Sequence, residues 1–283
     1  MASPRSEADH PHRRHLSVSL GRAFGGALVF SLPMMMTMEM WELGATIDRW
    51  RLLVLVALSW PLLMFICHYS GFEETWDWRE DVRDVAIAFG VGLSTSALVL
   101  SLLAIIGPGQ SRSEILGAIA LQTIPAALGA LLARSQFSAH DQSEDDEDRD
   151  EKPESYGGEL AVMTAGALFL NLNLAPTEEM LLISYRMSAV HCLVLVPLSM
   201  LIMHGFVYAA AFKGGSDYDP ETPWWEVFLK FTVVGYAVAL GVSGYVLWTF
   251  GSLDGLSFEA GLEVMVVLGF PAAVGAAAAR LIL

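Results

Sequence analysis

"SLPMMMTMEMWELG", residues 31–44, lies inside an apolar run long enough to cross a bilayer, yet it carries Glu39 and Glu42. "NLNLAPTEEMLLIS", residues 171–184, does the same with Glu178 and Glu179. A charge at mid-bilayer costs roughly 2.5–3.5 kcal/mol on insertion scales. Four such glutamates are therefore expected to be protonated, paired, hydrated or bound to a cation. The two stretches read as one motif written twice, and as the working site.

The surrounding chain supports a membrane setting. Of its 283 residues 54% are hydrophobic and only 17% charged, and the mean hydropathy is +0.49. A soluble domain of this length exposes more charge. The net charge of −15 is largely local. Residues 140–157, "HDQSEDDEDRDEKPESYG", hold nine acids against Arg149 and Lys152, a net −7. Cys67 and Cys192 lie in apolar segments and suggest neither a disulfide framework nor a metal cluster.

Apolar segments fall at about 21–45, 52–71, 82–106, 114–134, 159–184, 189–212, 226–250 and 260–283. The fold class expected is all-α: a polytopic membrane protein with eight transmembrane helices as two parallel four-helix repeats. Residues 1–20 read as a disordered cytoplasmic tail, 21–134 as the first repeat, 135–158 as an acidic cytoplasmic linker and 159–283 as the second repeat. A signal peptide fits less well, because the first apolar run is too long, contains Glu39 and has no small-residue cleavage site after it. Lys and Arg divide twelve against four between alternate sides. That places both termini and the linker in the cytoplasm of a bacterial or archaeal inner membrane. Trp76, Trp78, Trp224 and Trp225 fall where an interfacial belt is wanted.

The repeat is visible within the chain itself. Shifted by about 140 residues, "GALVFSLPMMMTMEM" (26–40) lies on "GALFLNLNLAPTEEM" (166–180), with 14 identities in about 47 aligned positions. Thr37 meets Thr177 and Glu39 meets Glu179, while Glu42 and Glu178 have no acidic counterparts. Later, "IPAALGALLAR" (124–134) meets "FPAAVGAAAAR" (270–280). An even helix count gives both halves one orientation and an expected two-fold axis along the membrane normal, near which Glu39 and Glu179 are expected to meet.

Pro33 and Pro176 are expected to break their helices and free backbone carbonyls, tolerated where backbone lines protein or a wet cavity. Thr37, Thr177, Asn171 and Asn173 add oxygen ligands, with Asn171 and Glu178 expected on one helical face. Carboxylates, carbonyls and hydroxyls suit protons and hard cations, so Glu39 and Glu179 are the candidate metal ligands if the cargo is a metal ion. The bland alternative has the glutamates near the interface, paired with Arg49, Arg51 or Arg186. The consecutive Met34, Met35 and Met36 cannot share a helical face and read as packing rather than copper ligands. His68, His191 and His204 lack metal-ligand spacing, Lys230 snorkels to the surface, and the linker lacks EF-hand spacing.

"LPMMMTMEMWELG" with "APTEEM" resembles a family of bacterial and archaeal integral membrane proteins without assigned function, over most of the chain after the tail. The resemblance implies no activity. A weaker likeness to cation/Ca²⁺ exchangers is one of physical logic, since their repeats are inverted and five-helical. Function is expected to be translocation of a small inorganic cation or proton by a non-enzymatic transporter or channel without a cofactor. Its partner is the lipid bilayer, there is none in nucleic acid, and the architecture leaves room for a homo-oligomer. A membrane scaffold or sensor is the alternative. An intramembrane hydrolase fits poorly, because in "EEMLLISYR" Arg186 follows the glutamate pair at the wrong spacing for CAAX-type proteases.

Overall fold

The computed structural model describes residues 9–69, 78–142, 156–211 and 224–282. Among the described residues all regular structure is helical. The elements are α1 (Asp9–Met35), α2 (Met38–Thr46), α3 (Arg49–Tyr69), α4 (Trp78–Leu102), α5 (Arg112–Gln142), α6 (Tyr156–Leu174), α7 (Glu178–Arg186), α8 (Ala189–Ala211), α9 (Trp224–Val227), a π-helical turn (Phe228–Val233), α10 (Val234–Phe250) and α11 (Phe258–Ile282). Six helical segments are long and apolar enough to cross a membrane, or eight if each of two bent pairs counts as one span. The bent pairs are α1 with α2 and α6 with α7.

Several boundaries differ from the sequence reading. α1 runs back to Asp9, into the stretch expected to be a tail, and α5 runs on to Gln142, into the expected linker. Residues 143–155 of that stretch and Trp76 lie outside the described residues, and α6 begins within its last positions, at Tyr156. Trp78, Trp224 and Trp225 are exposed, as an interfacial belt requires. Lys230 is exposed and pairs with Glu226 at 2.6 Å. Pro61, Pro125, Pro197 and Pro271 sit inside helices that are not split at them. A proline in a membrane helix therefore does not by itself mark a break.

In the first half α1, α2, α3 and α4 all pack on α5; in the second α6, α7, α8 and α10 all pack on α11. Small residues set the closest crossings. A side chain on Gly26 would collide with the Gly129 carbonyl and Ala133, and one on Gly129 with the Gly26 carbonyl and Phe30. At the matching positions Gly166 meets the Gly275 carbonyl and Ala279, while Gly275 meets the Gly166 carbonyl and Leu170. Such contacts let backbones approach where lipid supplies no hydrophobic drive to association.

The seam between halves is less symmetric. α6 packs on α3 as well as on its own half, but no comparable packing joins α8 to α1 among the described residues. Accordingly only 11% of the α8 span is buried, against 28% for α3. Phe30 meets Phe169 with centroids 4.9 Å apart. The interface expected from a two-fold axis is thus not reciprocated. At one end of the seam Arg51 donates to both carboxylate oxygens of Asp254, at 2.8 and 2.9 Å, and lies 5.2 Å from the Trp248 ring centroid. This pairing holds the Asp254 carboxyl below its ordinary pKa.

Candidate functional site

Both glutamate stretches fall at sharp elbows. α2 leaves α1 at 88°, and α7 leaves α6 at 91°. The chemistry that fixes each turn is the same. Thr37 donates its backbone N–H (3.2 Å) and its hydroxyl (2.9 Å) to the Met34 carbonyl. Thr177 donates its N–H (3.1 Å) and hydroxyl (2.8 Å) to the Leu174 carbonyl. Both threonines have extended backbone, at φ −100°, ψ 133° and φ −81°, ψ 142°. Carbonyls left over at a helix end need partners, and here one hydroxyl serves backward instead of capping the helix that follows. At the first elbow the Trp41 indole also donates to the Met35 carbonyl, at 2.5 Å.

The glutamates stand in or near the first turn of the short helices: Glu39 is second in α2, while Glu178 and Glu179 open α7. Glu39 is half-buried; Glu42, Glu178 and Glu179 are exposed. A carboxylate in a first turn meets the positive end of the helix dipole, worth roughly 0.3–1 kcal/mol. Each elbow keeps its own carboxylates, because α2 packs on α5 and α7 on α11. No hydrogen bond or ion pair among the described residues joins Glu39 to Glu179.

Other expected ligands are engaged elsewhere. Asn171 and Glu178 do not share a face, because the α6–α7 break separates them. Asn171 is fully buried and donates to the Ser243 hydroxyl on α10 at 3.1 Å. Asn173 donates to the Phe169 carbonyl at 2.8 Å. Pro176 lies within its elbow, but Pro33 lies inside α1, ahead of its break. No group of three acidic, His or Cys side chains suited to a metal occurs among the described residues.

A family profile described as "putative integral membrane protein (DUF2391)" matches residues 19–283, nearly the whole chain. The chain belongs to this family. No curated protein and no solved structure matches it, and the physical likeness to cation exchangers gains no support from these comparisons. The family's membrane setting fits the apolar helices described above.

In this membrane protein Arg49 and Arg51, near the first elbow, are occupied by other groups. Arg49 donates to the Gly44 (3.1 Å) and Ala45 (2.8 Å) carbonyls at the end of α2, and to the Ser113 hydroxyl of α5 (3.1 Å). A cation is favoured at a helix C-terminus, so Arg49 caps α2 rather than pairing with its glutamates. The second half has Ala189 in the matching place. Sequence reasoning missed this role; it expected helix breaks at Pro33 and Pro176, of which only Pro176 lies in an elbow, and it missed the right-angle turns. The available signal was a threonine followed within two residues by glutamate, after a proline in "APTEE", which marks a new helix start.

Proposed function

We propose that this protein moves a small cation or a proton across a bacterial or archaeal inner membrane, with both termini cytoplasmic and without enzymatic chemistry. The chain works as a tandem of two four-helix repeats with one elbow in each. The observation that carries the reading is the elbow itself, fixed twice by the same threonine-to-carbonyl bonds, bent by nearly the same angle and followed each time by glutamate. Broken helices in membranes occur where backbone lines protein or a water-filled cavity, and transporters use their ends as ion sites. The matching Gly26–Gly129 and Gly166–Gly275 crossings support the tandem arrangement. Glu39 and Glu179 are the principal ion-binding groups, Glu42 and Glu178 attract cations to the elbows, and a homo-oligomer is compatible with the open face of α8.

The test is ion flux in proteoliposomes of purified protein under imposed H⁺, Na⁺, K⁺, Ca²⁺ and Mg²⁺ gradients. Flux that is lost in the Glu39→Gln/Glu179→Gln double variant, with folding intact, is the expected result. The exposure of Glu42, Glu178 and Glu179 favours a second reading, in which the elbows lie at the interface of a scaffold or sensor. Absence of flux for every ion sinks translocation and leaves that reading standing.

A further inference from the structure

We infer that the first elbow holds bound water on a floor made by the Gln122 amide, a group that Leu268 replaces at the matching position of the second half. The inference goes beyond the translocation reading and rests on geometry that is independent of it.

Position on α5 aims Gln122 at the elbow. Ala118 packs against Gly44 of α2, and Gly129 against Gly26 and Phe30 of α1. Gln122 lies four residues after the first and seven before the second, on the same helical stripe. It is only 1% exposed. Neither its Oε1 nor its Nε2 has a hydrogen-bond partner among the described residues. On α4, Gly92 abuts the backbone of Thr123 and Ala127. One turn further along that antiparallel helix, at the level of Gln122, stand Thr95 and Ser96. Both are fully buried, and their hydroxyl oxygens are likewise without partners. Their neighbours Ser94, Ser101 and Thr123 all donate to carbonyls four residues back, so helical Ser and Thr in this half ordinarily find that partner.

Chemistry selects the ligand. An amide presents an acceptor oxygen and two N–H donors together, and a hydroxyl does both. A bare metal cation would satisfy the oxygens and face the donors. Water donates and accepts, and buried waters settle where several such groups converge. The second half differs at the floor itself: Leu268 is fully buried in place of Gln122. A proton carried along hydrogen-bonded water then fits the first elbow better than a dehydrated ion.

The test is radiolytic hydroxyl-radical labelling of the full chain in lipid nanodiscs, read at methionines by mass spectrometry. Radicals form from water in place, so a buried methionine beside bound water oxidises and a dry one does not. Met34 and Met35 at the elbow are fully buried, as are Met163 and Met203 away from it. The expected result is ready oxidation of Met34 and Met35 in the wild type despite their burial. In Gln122→Leu, which borrows the second half's own residue, Met34 and Met35 oxidise several-fold more slowly while Met163 and Met203 keep their wild-type rates. In Leu268→Gln, Met180 at the second elbow speeds up relative to wild type. Met34 and Met35 left unoxidised in the wild type would overturn the inference without recourse to any variant. So would unchanged Met34 and Met35 rates in folded Gln122→Leu. Flux assays decide only the translocation reading and leave this result untouched.

Discussion

Thr37 and Thr177 each place a hydroxyl 2.8–2.9 Å from a carbonyl three residues back, and that bond holds the end of one helix while the next departs at right angles. A net hydrogen bond of this kind is worth about 1 kcal/mol. Thr37→Val and Thr177→Val keep the shape and lose the bond. Each is expected to lower stability by about 1 kcal/mol in detergent unfolding, and by similar amounts because the geometry is shared. A variant as stable as wild type would show that its elbow is held by packing alone. The equivalence of these threonines, and of Glu39 with Glu179, was legible in the sequence because a hydroxyl and a carboxylate in an apolar run stand out at matching register. The bend was not legible from hydropathy, which adds up apolar residues and is blind to direction. Asn171 shows the consequence: seven residues from Glu178, it belongs to a different helix and answers to Ser243 instead.

Among the elements, a tight constraint is backbone against backbone at the α1–α5 and α6–α11 crossings. Gly25 and Gly26 make a sharp comparison. A methyl on Gly25 meets nothing within 4 Å, whereas one on Gly26 strikes Ala133 and the Gly129 carbonyl. Gly25→Ala is expected to be neutral or to stabilise by up to about 1 kcal/mol through helix propensity. Gly26→Ala should cost about 1–3 kcal/mol through overpacking, and Gly166→Ala should behave alike. Thermal unfolding of the three variants checks this; equal melting temperatures for the first two would remove the crossing from the account. α6 and α11 are also joined by Arg280 and Glu159, 2.7 Å apart with side chains 8% and 7% exposed, and the guanidinium lies over the Phe231 ring at 4.4 Å. Removing one partner strands a buried charge, so Glu159→Gln is expected to lose roughly 3–5 kcal/mol. The Glu159→Leu/Arg280→Met double variant should recover most of that, as a double-mutant cycle would report. The long helices could be read from apolar length. Their ends could not, because α1 and α5 continue as helix through polar residues that hydropathy assigns to tail and linker.

Across the whole molecule, residues 203 positions apart meet where Arg51 takes the Asp254 carboxylate. The carboxyl's pKa is depressed in the folded state, so the pair contributes stability above the ordinary value of 3.8 and loses it as pH falls through the lowered folded value. The melting-temperature gap between wild type and Asp254→Asn should be constant near neutrality and close below about pH 3.8. A gap that persists in strong acid would show that the contact is not ionic. The contribution is modest, since Asp254 is largely exposed. Repeated sequence suggested a two-fold seam, but likeness between two stretches of sequence does not say how they dock. The α3–α6 packing, with no counterpart between α8 and α1, shows the difference. That one-sided seam bears on the birth of the protein. Synthesis runs from the amino terminus, so α3 emerges before α6, and the face of α3 that will receive α6 stays uncovered by it until the sixth helix arrives. Assembly thereby acquires an order, in which the late half docks on an early one that has been waiting with a surface prepared.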